Sequence, residues 1–314
     1  MTALQDPPPA VDASSGPPRV ARPTPRLPRF EGPSRGSTGW IVRTALFWLA
    51  AVAVAFAADI VVVSQIQYQA AQARDYATLR QSLALATTPV SQTDTDGNLT
   101  PVGTPVALLS IPRIGMAGVV VVEGTSAEAL QRGPGHERDT RFPGQPGVSV
   151  LQGRAAAFGG PFGDLGRLQV GDAITVTTGQ GRSTFRVHGQ RQEGDPVTPL
   201  ASGEARLTLV TAGGAPFAPR GLLRVDATLV GAPFDPSVVY ASDLPTAEQP
   251  LGSMPDTLPV TVLALQALVV VVLLAVWAWL RWGRLRTWIA FGPVLVLAVV
   301  LIGGRLTLLL PNLL

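Results

Sequence analysis

Three features of the sequence predict a mainly β domain attached to three membrane-spanning helices. The chain is 46% hydrophobic and only 14% charged, which is too apolar for a typical soluble protein. Three stretches are nearly free of charge over about 20 residues, the length at which a helix crosses a bilayer. Between residues 105 and 230, short segments alternate apolar and polar side chains, as half-buried strands do.

The first predicted span covers residues 41–63, and at about 1.5 Å per residue this helix crosses a hydrocarbon core of about 30 Å. Asp59 lies near one end of it, where a shift by one turn brings the carboxylate to the interface. The second span covers residues 258–280 and carries no charge. The third covers residues 287–310, and Arg305 near its end reaches the interface through its long side chain.

The distribution of arginine predicts the topology of these spans. Residues 1–43 hold six Arg against three acidic residues, and the loop 281–286 holds three more Arg. Because basic segments stay on the cytoplasmic side, both are expected in the cytoplasm and residues 64–257 outside it. The sequence therefore predicts a multi-pass protein of the cell membrane with an extracytoplasmic β domain. Residues 1–38 are rich in Pro, Gly and Ser and are expected to be a disordered cytoplasmic tail.

The composition also excludes several kinds of site. The chain has no cysteine, so disulfides, thiolate metal sites and cysteine nucleophiles are ruled out. Its two histidines, His136 and His188, lack a third predicted ligand, and neither a metal nor another cofactor is expected. The pI of about 10.1 is no sign of a nucleic-acid partner, because residues 64–258 hold 14 Arg against 17 acidic residues. All 24 basic residues are Arg, which with 33 Gly and 29 Pro is typical of a GC-rich, actinobacterial genome.

The region between the first and second spans divides into a helical stalk and linker at 64–103, a β domain at 104–231 and a Pro-rich linker at 232–257. The predicted strands cover residues 108–111, 119–122, 173–177, 184–187, 206–210 and 222–227, with a hairpin turn at 179–181. Residues 126–131 and 162–168 have a helical pattern. About eight short strands in so small a region predict a closed barrel or a sandwich.

Six sequence blocks in this region resemble the sortase family, in the family's order. They are LSIPRIG at 109–115, VEGTS at 122–126, GPGH at 133–136, FPGQPG at 142–147, FGGPFGDL at 158–165 and VGD at 170–172. The resemblance is to actinobacterial sortases of classes E and F. It implies an eight-stranded β-barrel outside the cytoplasm, and a family whose members act as cysteine transpeptidases on sorting-signal peptides.

The same resemblance implies that two catalytic residues are replaced. In the family a Cys thiolate attacks the peptide, a His transfers protons and an Arg stabilises the oxyanion. The matching positions of this sequence hold Ala212 for the Cys, Arg154 for the His and Arg220 for the Arg. An Ala side chain has no lone pair with which to attack, and Arg does not give up its proton in a protein. The sequence therefore predicts a catalytically degenerate domain without transpeptidase activity.

Five residues are candidates for the groove that such a domain keeps: Arg154, Thr211, Ala212, Arg220 and His136. Two guanidinium groups there could hold a carboxylate or phosphate, so a cell-surface peptide or a cell-wall anion is the expected ligand. His136 belongs to a Gly-Pro-Gly-His loop that recurs in active sortases without being their catalytic His, and it is expected to be structural. Two alternatives stay open. The domain could be an unconventional transpeptidase or hydrolase, although Thr211 has no predicted base beside it. The spans could instead dock another membrane protein.

Overall fold

The computed structural model describes residues 38–93, 98–215, 218–237, 245–250, 252, 258–306, 308–309 and 311–313. The predicted disordered tail therefore lies outside the described residues, apart from Thr38. Parts of the Pro-rich linker, at 238–244, 251 and 253–257, lie outside them as well.

Three helices of the described chain are long and apolar enough to cross a membrane. The first is continuous from Thr38 to Ala84 and consists of α1 (Thr38–Ala58), a π-helical turn (Asp59–Val63) and α2 (Ser64–Ala84). The other two are α4 (Leu258–Trp282) and α5 (Arg284–Leu306), separated by Gly283 alone. Gly283 has a φ of +82°, a left-handed conformation that lets the chain leave one helix and begin the next. The short α3 (Ala127–Leu130) belongs to the β domain.

Aromatic side chains hold α1, α4 and α5 together. Trp48 of α1 is 1% exposed and packs in one cluster with Leu268 of α4 and Leu295 of α5. Its ring centroid lies 4.9 Å from that of Trp288 and 5.7 Å from that of Trp279. Aromatic pairs at such distances stabilise a contact beyond the burial of their area alone. The three helices therefore form one packed bundle.

The β domain contains eight strands, which are β1 (Pro105–Ile111), β2 (Met116–Glu123), β3 (Gly135–His136), β4 (Gly147–Gln152), β5 (Ala173–Thr178), β6 (Gly181–Gln192), β7 (Ala205–Ala215) and β8 (Ala218–Val230). They close into a barrel in the order β1-β2-β3-β4-β7-β8-β6-β5, and β5 pairs back onto β1. The β2–β3 and β4–β7 pairs are parallel and the other six are antiparallel. The predicted eight-stranded barrel is confirmed, and the sandwich is excluded.

The barrel core is built from every second residue of the strands. Leu151 of β4, Phe185 of β6, Leu207 and Leu209 of β7, and Val225 of β8 are fully buried there. Burying a side chain of this size stabilises the fold by about 1.5–3 kcal/mol. Because side chains alternate along a strand, the residues between them lie on the outer face of the barrel wall.

Gln72 of α2 fastens the first helix to the barrel. Its side-chain oxygen accepts a hydrogen bond from the amide of Val120 at 2.8 Å. Its side-chain nitrogen donates to the carbonyl oxygens of Val120 at 3.1 Å and Arg132 at 2.7 Å. Only Val122 and Glu123, at the end of β2, pair with β3. Gln72 therefore supplies hydrogen-bond partners to the edge of β2 that β3 does not reach. Asp75 adds a salt bridge to Arg132. The helix expected as a stalk therefore packs along the barrel.

Candidate functional site

An apolar groove lies on the outer face of the barrel where β4, β7 and β8 adjoin. Leu207 and Leu209 face the core, so Val210 and Ala212 of the same strand point outward. Leu222 of β8 pairs with Ala212 and packs beside it. The buried residues of the groove are Leu130, Val210, Ala212, Leu222 and Leu313, with Val150 and Ala155 packed against them. The position that the sortase resemblance gives to the nucleophile thus lies in the floor of a small apolar groove.

Arg154 lies next to Ala212, just beyond the end of β4. β4 and β7 run parallel with Gln152 opposite Val210, and the amide of Gly153 donates to the carbonyl oxygen of Val210 at 3.0 Å. Continuing this register by two residues places Arg154 opposite Ala212. The structure therefore brings together the two residues to which the sequence resemblance assigns the family's His and Cys positions.

The Arg154 side chain is fully buried and turned toward α3. Its Nη2 donates to the carbonyl oxygen of Ala127 at 3.1 Å, and its guanidinium carbon lies 5.2 Å from the ring centroid of Phe158. Phe158 has a φ of +50°, a left-handed conformation that costs a bulky residue about 1–2 kcal/mol and that holds its ring beneath the guanidinium. Burial lowers the pKa of Arg154 to about 10, so the side chain stays cationic at neutral pH. A cation cannot accept a proton, and Arg154 in this state cannot act as a base.

Gly153 fixes the course of the chain between β4 and Arg154. A Cβ atom built on Gly153 would lie 2.5 Å from Cδ2 of Phe162, a fully buried core residue. Real Cβ atoms do not approach a ring this closely, so glycine is required for the strand and the Phe162 ring to meet. This close approach places Arg154 at the mouth of the groove.

Thr211 and Arg220 lie close to Ala212 in the chain but outside the groove. Thr211 points to the opposite face of β7, where its hydroxyl donates to the carbonyl oxygen of Gly153 at 2.9 Å. The hydroxyl thus ties β7 to the end of β4. Arg220 is exposed on β8, two residues before Leu222. The guanidinium groups of Arg154 and Arg220 therefore do not form the buried clamp for an anion that the sequence suggested, because one is turned inward and the other lies in solvent.

His136 lies one strand away, in a buried polar network. Its Nδ1 contacts Oε2 of Glu123 at 2.9 Å and its Nε2 contacts the carbonyl oxygen of Arg141 at 2.9 Å. Burial alone lowers the pKa of His136, but the charge and hydrogen bond of Glu123 and the Arg141 carbonyl outweigh it, so the pKa is raised. Both ring nitrogens therefore have hydrogen-bond partners within the protein, which agrees with a structural role and leaves His136 outside the groove. His188 is exposed on β6. Within the described residues, no three His, Asp or Glu side chains group as metal ligands do.

The segment 311–313, which follows α5, covers the groove and places Leu313 in it. The Leu313 side chain is fully buried among the groove residues, and its carbonyl oxygen accepts from the amide of Ala155 at 2.9 Å. The side-chain amide of Asn312 donates to the carbonyl oxygens of Ala247 at 2.7 Å and Gln249 at 2.9 Å. Its backbone amide donates to the carbonyl oxygen of Gly252 at 3.0 Å. The linker between β8 and α4 and the segment after α5 thus meet over the groove.

Sequence reasoning missed this segment because the pattern of apolar residues ran on from the third span. Residues 308–310 are three leucines, so the span was extended to residue 310 and nothing was expected beyond it. The one available signal is Pro311-Asn312, which stops a helix and introduces a polar amide into an apolar run. That signal marks an end of the helix and says nothing about which surface the following residues reach.

The fold and this site define a barrel of the sortase type. A family model described as the sortase domain matches residues 109–225, which include most of the barrel. Sortase D of Bacillus subtilis strain 168 is 34% identical over 80 residues, which is 26% of this chain and 38% of that relative. The chain thus spans well under two thirds of the length of this curated relative.

Two solved structures are similar to the chain. A sortase D5 transpeptidase of Clostridium perfringens is 21% identical with a TM-score of 0.43, covering 52% of this chain and 99% of its own. Sortase E of Streptomyces avermitilis is 29% identical with a TM-score of 0.37, covering 48% of this chain and 100% of its own.

Proposed function

We propose that this chain is a membrane-anchored, sortase-like protein without transpeptidase activity, which binds or scaffolds at the outer surface of the cell membrane. One observation carries the proposal. The groove position that corresponds to the family's nucleophile holds Ala212, in a chain that has no cysteine at all. The buried cation Arg154 beside it stands where the family has a His. Covalent acyl transfer needs an activated nucleophile and a proton acceptor, and these two positions offer neither.

The groove favours a peptide over an anion as its ligand. Its walls are aliphatic side chains, while the charged group of Arg154 is turned toward α3 and Phe158. Apolar walls stabilise a side chain such as leucine and penalise a desolvated carboxylate or phosphate. The assignment to classes E and F rests on the sequence blocks and stays a prediction, as does an actinobacterial source.

The proposal is tested by an acyl-transfer assay on the full chain in detergent. Labelled sorting-signal peptides and an amine acceptor are offered to the wild type and to a double variant, Arg154→His with Ala212→Cys. The wild type is expected to form no covalent adduct and no product above the protein-free blank. In the double variant the introduced thiolate could attack the peptide carbonyl, release the amine and leave an acyl adduct visible by mass spectrometry. Product formed by the wild type would overturn the proposal, and its loss in Thr211→Val would favour the unconventional enzyme.

The proposed sidedness follows from the arginine distribution and is tested separately. Because the chain has no cysteine, labelling of a single introduced cysteine reports the accessibility of that position alone. Val170 on the barrel is 75% exposed and Leu285 in the first turn of α5 is 74% exposed, which makes them a matched pair. In intact cells a membrane-impermeant maleimide is expected to label Val170→Cys and to spare Leu285→Cys until the cells are opened. The reverse pattern would place the barrel in the cytoplasm.

A further inference from the structure

Residues 312 and 313, from the segment after α5, bind at the groove. Three separate parts of the molecule hold them. The loop after β4 contributes the amide of Ala155, the linker before α4 contributes three backbone carbonyls, and the barrel wall contributes the apolar floor under Leu313. Contacts from three elements fix both the direction of the segment and its register in the groove.

The contacts select for an asparagine followed by a leucine. Both donors of the Asn312 amide are used, one on Ala247 and one on Gln249, and an aspartate of the same shape has no hydrogen to donate. The Leu313 side chain is 0% exposed and lies in the same buried cluster as Ala212, the small residue in the floor. A side chain larger than alanine at position 212 would take up part of the space that Leu313 fills.

We propose that residues 311–313 are a tethered peptide ligand of the groove, and that the groove is a binding site for an Asn-Leu peptide. The proposal deepens the function proposed above, since it assumes a groove that retains a peptide without cleaving it. The segment is joined to α5 by the few residues after Leu306, so its local concentration at the groove is on the order of millimolar. A free peptide therefore enters only when it reaches a similar concentration or when the segment leaves.

Disulfide trapping in the full chain tests the docking directly. Ala155→Cys with Leu313→Cys places two thiols in one buried cluster of a chain that has no other cysteine. The control pair is Ser202→Cys with Leu313→Cys, because Ser202 is exposed before β7 and Ala205 at the start of that strand lies about 23 Å from Ala212. In detergent, under mild oxidant, the first pair is expected to cross-link at least about tenfold faster than the control. Equal rates would overturn the proposal.

Two further experiments with the Ala155→Cys and Leu313→Cys pair test whether the groove recognises the asparagine. Asn312→Asp is expected to slow cross-linking by about tenfold, because two hydrogen bonds are lost and two carbonyls face a carboxylate. The capped tripeptide Pro-Asn-Leu at millimolar concentration is expected to slow cross-linking at least about twofold, and Pro-Asp-Leu to leave it unchanged. If Asn312→Asp cross-links as fast as its parent, or both tripeptides act alike, the groove does not recognise the asparagine and the proposal is wrong.

The rate of disulfide cross-linking is measured independently of acyl-transfer activity. A chain that cross-links as expected but forms acyl-transfer product would contradict the proposed function and leave the docking intact. A chain without activity whose two cysteine pairs react alike would contradict the docking alone.

Discussion

Replacing Arg154 with methionine is expected to stabilise the barrel. Burial lowers the pKa of this guanidinium from its ordinary 12.5 to about 10, which corresponds to about 3 kcal/mol of cost for holding the charge in the folded state. Because both values lie above neutral pH, this cost is present in full at pH 7 and is relieved only as the pH rises past about 10. Methionine has nearly the same length and carries no charge.

Two contacts of Arg154, with the Phe158 ring and the Ala127 carbonyl, reduce this gain only in part. The stacking on Phe158 stabilises the wild type by about 1 kcal/mol and is lost in the variant. The Ala127 carbonyl keeps a second partner in the variant, because the amide of Gln131 also donates to it at 3.2 Å. The net expectation is a barrel about 2 kcal/mol more stable, as other buried charges replaced by apolar side chains have been.

Hydrogen exchange with mass spectrometry on the full chain in detergent measures this change. The tryptophans lie outside the barrel, at positions 40, 48, 277, 279, 282 and 288, so fluorescence would report the helices instead. Protected amides of β4 and β7 are expected to exchange about 30-fold more slowly in Arg154→Met than in the wild type. The exposed Arg220→Met should stay within about twofold of the wild type. Exchange at least about fivefold faster in Arg154→Met would show that the guanidinium holds the groove together, and would refute the reasoning.

Three further predictions concern the barrel wall. Gly153→Ala should cost about 1–3 kcal/mol, because the new Cβ meets the ring of Phe162, and exchange of β4 amides should speed up accordingly. The raised pKa of His136 means that its protonation stabilises the fold fully below pH 6.5 and that this contribution is lost as the pH rises through the raised value, which denaturation at several pH values would record. Gln72→Leu leaves the backbone groups of Val120 without their side-chain partners and should speed exchange at that edge by about 5–30-fold.

Each of these predictions has a matched control. Gly189→Ala in β6 meets nothing within 4 Å and should leave exchange unchanged, so an equal effect at Gly153 and Gly189 would contradict the steric argument. His136→Gln should reduce the pH dependence of the unfolding free energy. An unchanged pH profile would show that another group causes the dependence. Gln69 is exposed on α2, and Gln69→Leu should behave as wild type. If Gln69→Leu loosened the β2 edge as Gln72→Leu does, the specific hydrogen bonds would not be responsible.

The parts of the fold that follow a local pattern could be predicted from the sequence. The β5–β6 hairpin forms around Gly181, which has a φ of +133°, at the predicted turn. The apolar spans could be recognised because their length and composition suffice. β3 could not, since it is two residues long and exists through its pairing with β2 and β4. Short strands of this kind depend on tertiary contacts that no sequence period reveals.

The candidate site was predicted in part, for the same reason. The positions of Ala212 and Arg154 follow from the order of the motifs, and the parallel β4–β7 pair brings them side by side. The direction of the Arg154 side chain depends on α3 and on the left-handed Phe158, which lie elsewhere in the chain. The occupant of the groove comes from more than 150 residues away, between Ala155 and Leu313, and no local pattern links the two.

On the proposed topology, the attachment of α2 to the barrel sets the height of the groove above the lipid. Gln72 lies nine residues beyond Val63, about 13 Å along a continuous helix, and is hydrogen-bonded to the barrel there. The segment after α5 reaches the groove from the same bundle of helices. A rigid, short standoff of this kind confines the site to the layer just above the headgroups. On that topology, ligands anchored in the same membrane would meet the site by diffusion in two dimensions, and we expect polypeptides still attached to the bilayer to be its partners.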